Sequence, residues 1–210
     1  MRTTAPTAVL AIALAPMICQ PVHAGPISFD PPLLVDTPGH SPALAFARFD
    51  IESGHTLLSL VPESGRLAMH QNSKDGFLDP QLFAATANPD VLAVGEFTGD
   101  EFLDAVIAST TSNRLAVARY EFPGSFSIVD RPATDGPTID IDTGDIDGDG
   151  DTDVVTAGPQ NNLITLLHNQ GDGTFSDPNT LFSGAMPVAV SLGDFDGDGH
   201  LDIASCNFLA

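Results

Sequence analysis

The sequence predicts an all-β protein: a β-propeller of four-stranded blades, of which about 3.5 are present. Three observations predict this fold. An acidic loop recurs every 49 residues, a phenylalanine recurs at the same interval, and short alternating strands lie between these landmarks. A fixed period of this length is typical of repeat architectures. No stretch of the chain has the sustained period of an amphipathic helix.

The acidic loop sets the period. Its three copies begin at Gly95, Gly144 and Gly193, and they are 49 residues apart without any slip of register. An eroded copy at residues 47–50 lies 48 residues before the first of them. Four copies of one unit are therefore expected.

A phenylalanine provides the second landmark. Phe77, Phe126 and Phe175 are 49 residues apart, and Phe29 lies another 48 residues upstream. Asp-Pro pairs follow two of them, at residues 79–80 and 177–178. Because two independent landmarks share one period, the repeating unit is a supersecondary motif rather than a chance series of Asp-Gly turns.

Each unit is predicted to contain four short strands. In the third unit we expect strands at Thr138–Gly144, Asp153–Ala157 and Leu163–Leu167, with a fourth opening at residues 174–175. The segment 168–174 is rich in residues that tolerate positive φ and is predicted to be a tight hairpin turn. The units occupy about residues 42–90, 91–138 and 139–187, with a partial unit at 188–210.

Four strands in 40 to 50 residues are what a propeller blade requires, because a small sheet covers its apolar faces only against neighbouring blades. A parallel β-helix is the rival architecture, but it usually repeats over fewer residues per coil. With three full units and the start of a fourth, we expect a fragment of a propeller or a ring that oligomerises to complete itself. Its open blade edges would permit self-association.

The acidic loops carry the candidate metal ligands. Carboxylates at positions 1, 3, 5 and 9 of each loop can converge on one point, and the glycines permit the tight turn. Six to eight oxygen ligands suit Ca²⁺ better than Mg²⁺ or Zn²⁺. Position 7 would bind through its backbone carbonyl, so its side chain can vary. The predicted ligand residues are Asp145, Asp147, Asp149, Asp151 and Asp153 in one loop, and Asp194, Asp196, Asp198, His200 and Asp202 in the other.

The other two copies are weaker. The loop at residues 96–104 keeps oxygens at the ligand positions, but Glu101 replaces the turn glycine; its candidate ligands are Glu96, Thr98, Asp100 and Asp104. The eroded copy has Arg48 at the first position and is predicted to have lost its ion. None of the loops is an EF-hand, because the twelfth position is Thr156 or Ser205 rather than Glu. The competing interpretation is a solvated Asp-Gly turn, in which clustered carboxylates repel one another.

The segments 144–155 and 169–175 resemble the two halves of the FG-GAP/VCBS repeat, which also forms the integrin α-subunit propeller. The resemblance covers most of the chain from about Phe29 onward. It implies seven-bladed propellers as the usual assembly, with a structural Ca²⁺ held in a β-hairpin loop. The residues that match its ligands are Asp145, Asp147, Asp149 and Asp153 in one loop, and Asp194, Asp196, Asp198 and Asp202 in the other.

The N-terminus predicts export. Arg2, the apolar run 8–15 and the small-residue site 22–24 have the layout of a signal peptide, so residues 1–24 are expected to be removed and the mature chain, 25–210, to be secreted, periplasmic or extracellular. No stretch is long enough for a membrane span. The chain has 28 acidic and 7 basic residues, one of which lies in the signal, so the mature charge is about −22. This charge disfavours nucleic acid as a partner.

The leading hypothesis for function is a non-catalytic, calcium-stabilised scaffold or adhesion surface for an extracellular protein or glycan. The alternative is a propeller enzyme fragment of the polysaccharide-lyase type. No pair of nucleophile and base stands out in its support. His70 and His168 lie two repeat lengths apart, which is typical of a structural position rather than a catalytic one. The chain has no Trp and one Tyr, which weakens lectin-like glycan binding.

Overall fold

A computed structural model describes residues 42–49, 55–73 and 76–208. The predicted signal peptide, the expected mature start at Gly25 and the landmark Phe29 lie outside these ranges. The described chain forms fifteen β-strands and one short 3-10 turn at Pro62–Ser64. The strands are β1 (Leu44–Ala47), β2 (Thr56–Val61), β3 (Arg66–Ser73), β4 (Gly76–Phe77), β5 (Gln81–Ala84), β6 (Val91–Gly95), β7 (Asp104–Ala108), β8 (Ala116–Glu121), β9 (Ser125–Asp130), β10 (Asp140–Gly144), β11 (Asp153–Gly158), β12 (Leu163–Leu167), β13 (Asn179–Phe182), β14 (Pro187–Gly193) and β15 (Asp202–Asn207).

These strands form four antiparallel sheets that follow one another along the chain. The first blade is β1-β2-β3-β5, with β4 paired to the end of β3; the second is β6 to β9 and the third is β10 to β13. The fourth blade consists of β14 and β15. The all-β, four-stranded-blade prediction is confirmed. No helix in the described part of the chain has the length and apolar character of a membrane span.

The second strand of each complete blade is the most buried. Every residue of β2, β7 and β11 is buried, whereas every residue of the outer strand β13 is exposed. Strands β7 and β11 each have a sheet neighbour on either side and a blade against either face, so their sequences are nearly continuously apolar rather than alternating. The run Val154–Val155 at the start of β11 is an example.

The hydrophobic core lies between blades. Phe49 and Leu58 of the first blade pack in one cluster with Ile107 of the second. Two further clusters join the second blade to the third and the third to the fourth. Because each sheet is a single layer, only a neighbouring blade can cover its face, which is the packing of a propeller.

The first strands of successive blades meet one another. Strand β6 contacts both β1 and β10, and β10 also contacts β14. Side chains of the third blade tie these inner strands together, since Asp142 Oδ2 accepts the Leu192 N–H at 2.8 Å and Thr143 Oγ1 donates to the Val94 carbonyl at 3.3 Å. The inner strands therefore fix the relative positions of the loops that follow them.

The fourth strand of the third blade begins later than the sequence predicted. Phe175 forms only an isolated bridge with Asn169, and β13 starts at Asn179. Pro178, which lacks a backbone N–H, interrupts the pairing between them. The first blade has the same break at Pro80, between β4 and β5. In the second blade the residue three positions after Phe126 is Val129 rather than proline, and β9 runs unbroken through it.

Two of the periodic phenylalanines, Phe126 and Phe175, contact an aromatic ring of the preceding blade, whereas Phe77 contacts Phe46 of its own blade. The Phe126 ring is 5.5 Å from Phe49 of the first blade, and the Phe175 ring is 6.1 Å from Phe97 of the second. Each of these contacts joins an aromatic residue near the third-to-fourth strand turn to an aromatic residue near the acidic loop of the preceding blade. In the second and third blades the second landmark of the period is therefore an interblade contact.

Candidate metal site

Three acidic loops lie at one place in the fold, between the first and second strands of their blades. The second-blade loop (residues 96–104) joins β6 to β7, the third-blade loop (145–153) joins β10 to β11, and the fourth-blade loop (194–202) joins β14 to β15. In each, the ninth residue begins the second strand, opposite a glycine that ends the first: Asp104, Asp153 and Asp202 pair with Gly95, Gly144 and Gly193.

The first acid of the third-blade loop organises its backbone. Asp145 Oδ1 accepts the Gly148 N–H at 2.7 Å and Oδ2 accepts the Gly150 N–H at 3.1 Å. Both glycines have positive φ, of 82° and 96°, which glycine adopts without the cost of a Cβ. The loop thus curls around the Asp145 carboxylate.

The ninth acid of the same loop is fully buried. Asp153 Oδ2 accepts the Ile146 N–H at 2.9 Å, and Oδ1 accepts the Asn169 N–H at 2.8 Å. Ile146 belongs to the loop, whereas Asn169 belongs to the turn after β12. The Asp153 carboxylate therefore holds the loop against the turn after β12. It is also one of the candidate metal ligands.

The fourth-blade loop repeats this pattern. Asp194 accepts the N–H groups of Gly197 and Gly199 at 2.7 and 3.0 Å, and Asp202 Oδ2 accepts the Phe195 N–H at 3.0 Å. The equivalence of these bonds with those of the third-blade loop indicates that the repeated sequence encodes a repeated loop conformation.

The second-blade loop has the same outline with different residues. Glu96 Oε1 accepts three backbone N–H groups, the shortest from Gly99 at 2.6 Å. Glu101, which replaces the turn glycine, has a φ of 69° and so adopts the left-handed conformation that glycine adopts elsewhere. This loop keeps its shape without the second glycine.

Asp104 shows what burial does to the ninth position. It is fully buried, and loss of hydration raises the pKa of its carboxyl to about 6. Hydrogen bonds from the Tyr120 and Phe97 N–H groups and from the Thr98 hydroxyl lower the pKa in opposition. Burial is the larger effect, so proton uptake by this carboxyl begins well above the ordinary range of aspartate.

The carboxylates converge in two of the three loops. In the third-blade loop, oxygens of Asp145, Asp147 and Asp149 all lie within 4.8 Å of one another. In the fourth-blade loop, the corresponding group is Asp194, Asp196 and Asp202. Within the described residues, Glu96, Thr98, Asp100 and Asp104 of the second-blade loop form no such group.

Four predicted ligands of these two loops lie outside the two groups: Asp151, Asp153, Asp198 and His200, of which Asp153 belongs to a third group with Asp147. Asp198 Oδ1 accepts the His200 N–H at 2.9 Å, and the His200 side chain is exposed. Asp151 leans toward the 168–174 turn, where a Cβ built on Gly171 would lie 2.7 Å from its Oδ2. Partial loss of hydration raises the pKa of the Asp151 carboxyl, and the negative charges of Asp149 and Asp153 raise it further.

His168 belongs to the site, although the sequence did not single it out as a ligand. Its Nδ1 lies 3.2 Å from Asp147 Oδ2 and 3.6 Å from Asp153 Oδ2, and the three residues form a further group within 4.8 Å. The pairing of the two predicted strands 153–157 and 163–167 could have placed His168 at the site. Since β11 pairs with β12 through Val154 and Leu167, the next residue along, His168, comes opposite Asp153.

His70 is not the counterpart of His168, contrary to the spacing argument. In the first blade His70 pairs with Leu57, while Gln71 pairs with Thr56 at the start of the second strand. The first interval is 48 residues rather than 49, and this one-residue difference shifts the alignment. His70 is buried, its Nε2 lies 3.2 Å from Ser59 Oγ, and burial lowers its pKa. It is a core residue.

Comparison with known families bears on the repeats directly. The sequence matches the family described as FG-GAP-like repeat over residues 96–156 and again over residues 145–205. Together these segments span just over half of the chain. Each match begins at the first residue of one acidic loop, 96 or 145, and ends in the second strand of the next blade. No curated protein matches the sequence.

Comparison with solved structures bears on the fold. The structure is similar to one described as BBS1N in complex with ARL6DN, soaked with lead, at a TM-score of 0.55 and 11% identity. The similarity covers 82% of this chain and 55% of that one, so the chain spans about half the length of its structural neighbour. At this identity the similarity concerns the fold. Through its two consecutive repeat matches, the chain belongs to the family of FG-GAP-like repeat proteins.

Proposed function

We propose that the chain is an exported repeat module in which Ca²⁺ stabilises the third-blade and fourth-blade loops, and that its propeller surface binds an extracellular protein or glycan. The observation that carries the proposal is the recurrence of convergent carboxylates. Two loops, 49 residues apart, each bring oxygens of three aspartates within 4.8 Å of one another.

The chemistry of the donors fits calcium. The groups offer hard carboxylate oxygens from a flexible loop, and Ca²⁺ accepts six to eight such ligands without a strict geometry. Asp145, Asp147 and Asp149 would hold the ion in one loop, and Asp194, Asp196 and Asp202 in the other. Without a cation, like charges at this separation repel. Loss of hydration is the larger cause of the raised pKa of Asp151, and the neighbouring carboxylates raise it further.

Export and the partner class rest on the sequence and on the family. The N-terminal segment has the layout of a signal peptide, and repeats of this family are typical of extracellular proteins. The net charge of −21 disfavours polyanionic partners. Nothing among the described residues favours the polysaccharide-processing alternative.

Calcium titration calorimetry on the metal-free full chain tests the proposal. We expect two Ca²⁺ per chain, one fewer when Asp145 and Asp149 are replaced by Asn, and one fewer when Asp194 and Asp196 are replaced. Asp172→Asn with Asp177→Asn removes two exposed acids outside the loops and should leave the number at two. The proposal would be contradicted if the unmodified chain showed no heat of Ca²⁺ binding, or if the control variant lost as many bound Ca²⁺ as the loop variants.

A further inference from the structure

We propose that His168 makes the third-blade loop a mixed nitrogen and oxygen metal site that binds a transition ion such as Zn²⁺, whereas the fourth-blade group, within the described residues, consists of carboxylates alone. The inference rests on the proposed metal-binding role of the third-blade loop and adds a difference in ion preference between the two loops. The ligands of the mixed site are His168 Nδ1 and one carboxylate oxygen each of Asp147 and Asp153.

The spacing of these atoms suits a small ion. Nδ1 lies 3.2 Å from Asp147 Oδ2 and 3.6 Å from Asp153 Oδ2. Tetrahedral coordination with bonds of about 2.0–2.2 Å places neighbouring ligand atoms roughly 3.3–3.6 Å apart. Both distances from Nδ1 therefore match the separations that a zinc ion requires, and the three ligand atoms all lie within 4.8 Å of one another.

The histidine nitrogen faces two carboxylates, with which it would form ion pairs if the ring were protonated. Nδ1 is inaccessible to solvent and has no hydrogen-bond partner, although the outer part of the ring is exposed. An unsatisfied buried polar atom costs free energy, and so it needs an explanation. A metal ion bound to the Nδ1 lone pair would satisfy this atom and neutralise the two carboxylates beside it.

The surrounding hydrogen bonds hold the ligands in place. Asp153 is fixed by the N–H groups of Ile146 and Asn169. Asn169, the residue after His168, is itself anchored by its side-chain bond to the Phe97 carbonyl. Ligands positioned by their own partners lose little entropy on binding an ion.

The second-blade loop lacks this nitrogen. The residue opposite Asp104 is Arg119, a cation that pairs with Glu121 at 3.8 Å. In the fourth-blade loop, the exposed His200 lies outside the metal-ligand group of the described residues. Imidazole favours zinc over calcium, so His168 gives the third-blade loop a chemistry that the second-blade loop does not share.

The experiment is calorimetric titration of the metal-free full chain with Zn²⁺ alone and, separately, with Ca²⁺ alone. His168→Gln is expected to weaken Zn²⁺ binding by at least about tenfold and to change Ca²⁺ binding by less than about twofold, because only zinc uses the nitrogen. His200→Gln is the matched control and should change neither. A long-range ¹H–¹⁵N spectrum of the unmodified chain should show the His168 Nδ1 resonance shifting on Zn²⁺ addition.

The outcomes separate the two proposals. Calcium binding without zinc binding, zinc binding that His168→Gln leaves unchanged, or a zinc-induced shift at a different histidine would overturn the mixed site and leave the calcium proposal standing. Failure of both ions to bind would overturn both. If His168→Gln does not fold, the Nδ1 resonance of the unmodified chain decides alone.

Discussion

The side-chain amide of Asn169 donates a hydrogen bond of 2.9 Å to the backbone carbonyl of Phe97, 72 residues earlier in the chain. Both residues are buried. The Asn169 N–H donates to Asp153, and its Oδ1 accepts the Gly171 N–H at 3.2 Å. Asn169 therefore connects three features: the acidic loop of the second blade, the buried acid of the third-blade loop, and the turn after β12.

Replacing Asn169 tests this connection. Asn169→Ala leaves the buried Phe97 carbonyl without its partner, and we expect the free energy of unfolding to fall by about 1–3 kcal/mol. The exposed Asn179→Ala in β13 is the control and should change stability little. Chemical denaturation of both variants in EDTA measures the effect. Equal midpoints for the two would show that the interblade bond contributes nothing.

Asp153 is expected to stabilise the fold even without metal. Asp153→Ala leaves the Ile146 and Asn169 N–H groups unpaired, so we expect a loss of about 2–4 kcal/mol in EDTA. Asp147→Ala removes an exposed acid of the same loop, whose Oδ1 accepts one N–H at 3.3 Å, and should cost far less. If the two variants unfold alike in EDTA, Asp153 has no structural role of its own.

The raised pKa of Asp104 should make the free energy of unfolding fall as the pH rises from 4 to 6. Its pKa is about 6 in the folded chain, above the ordinary value near 4, so the folded state holds the proton more tightly. The contribution of this group to stability is therefore full below about pH 4 and is lost as pH rises toward 6.

Chemical denaturation at pH 4, 5, 6 and 7 in EDTA measures this dependence. In Asp104→Asn the fall in unfolding free energy between pH 4 and 6 should be smaller than in the unmodified chain, whatever the absolute stability of the variant. The exposed Asp177→Asn should retain the original slope. A slope that Asp104→Asn leaves unchanged would show that Asp104 does not titrate in this range.

Phe195 provides a test of self-association. It occupies the loop position at which Phe97 is fully buried by the next blade, yet 62% of its surface is exposed. We expect Phe195→Ser to lower the association constant measured by sedimentation velocity. Phe182→Ser, which removes an even more exposed phenylalanine from the outer strand β13, is the control. Association that survives Phe195→Ser unchanged would exclude this face as the contact.

The sequence predicted most of the fold because its signals are local. The strand at Leu163–Leu167 was located to the residue, and the acidic loops fell at their predicted places, since β-branched runs and Asp-Gly turns act within a few residues. The late start of β13 was not predicted. The recurring phenylalanine suggested that the strand begins at Phe175, but Pro178 has no N–H to pair and delays the strand to Asn179.

The candidate site was predicted less completely. The aspartates were found because they lie together in sequence, whereas His168 and Asn169 reach the site through the pairing of β11 with β12 and the packing of one blade on another. Asn169 is anchored by the backbone carbonyl of Phe97, and the side chain of residue 97 gives no indication in the sequence that its carbonyl accepts this bond. Contacts that join residues 72 positions apart depend on the assembled fold.

Thermal unfolding of the full chain in excess EDTA, in Ca²⁺ and in Mg²⁺ tests the central claim most directly, because an ion that binds only the folded state must raise its stability. We expect one cooperative transition that Ca²⁺ raises and Mg²⁺ hardly moves, with much of the shift lost when Asp145 and Asp194 are both replaced by Asn. A cooperative transition at the same temperature in all three solutions would contradict the claim that calcium stabilises these loops.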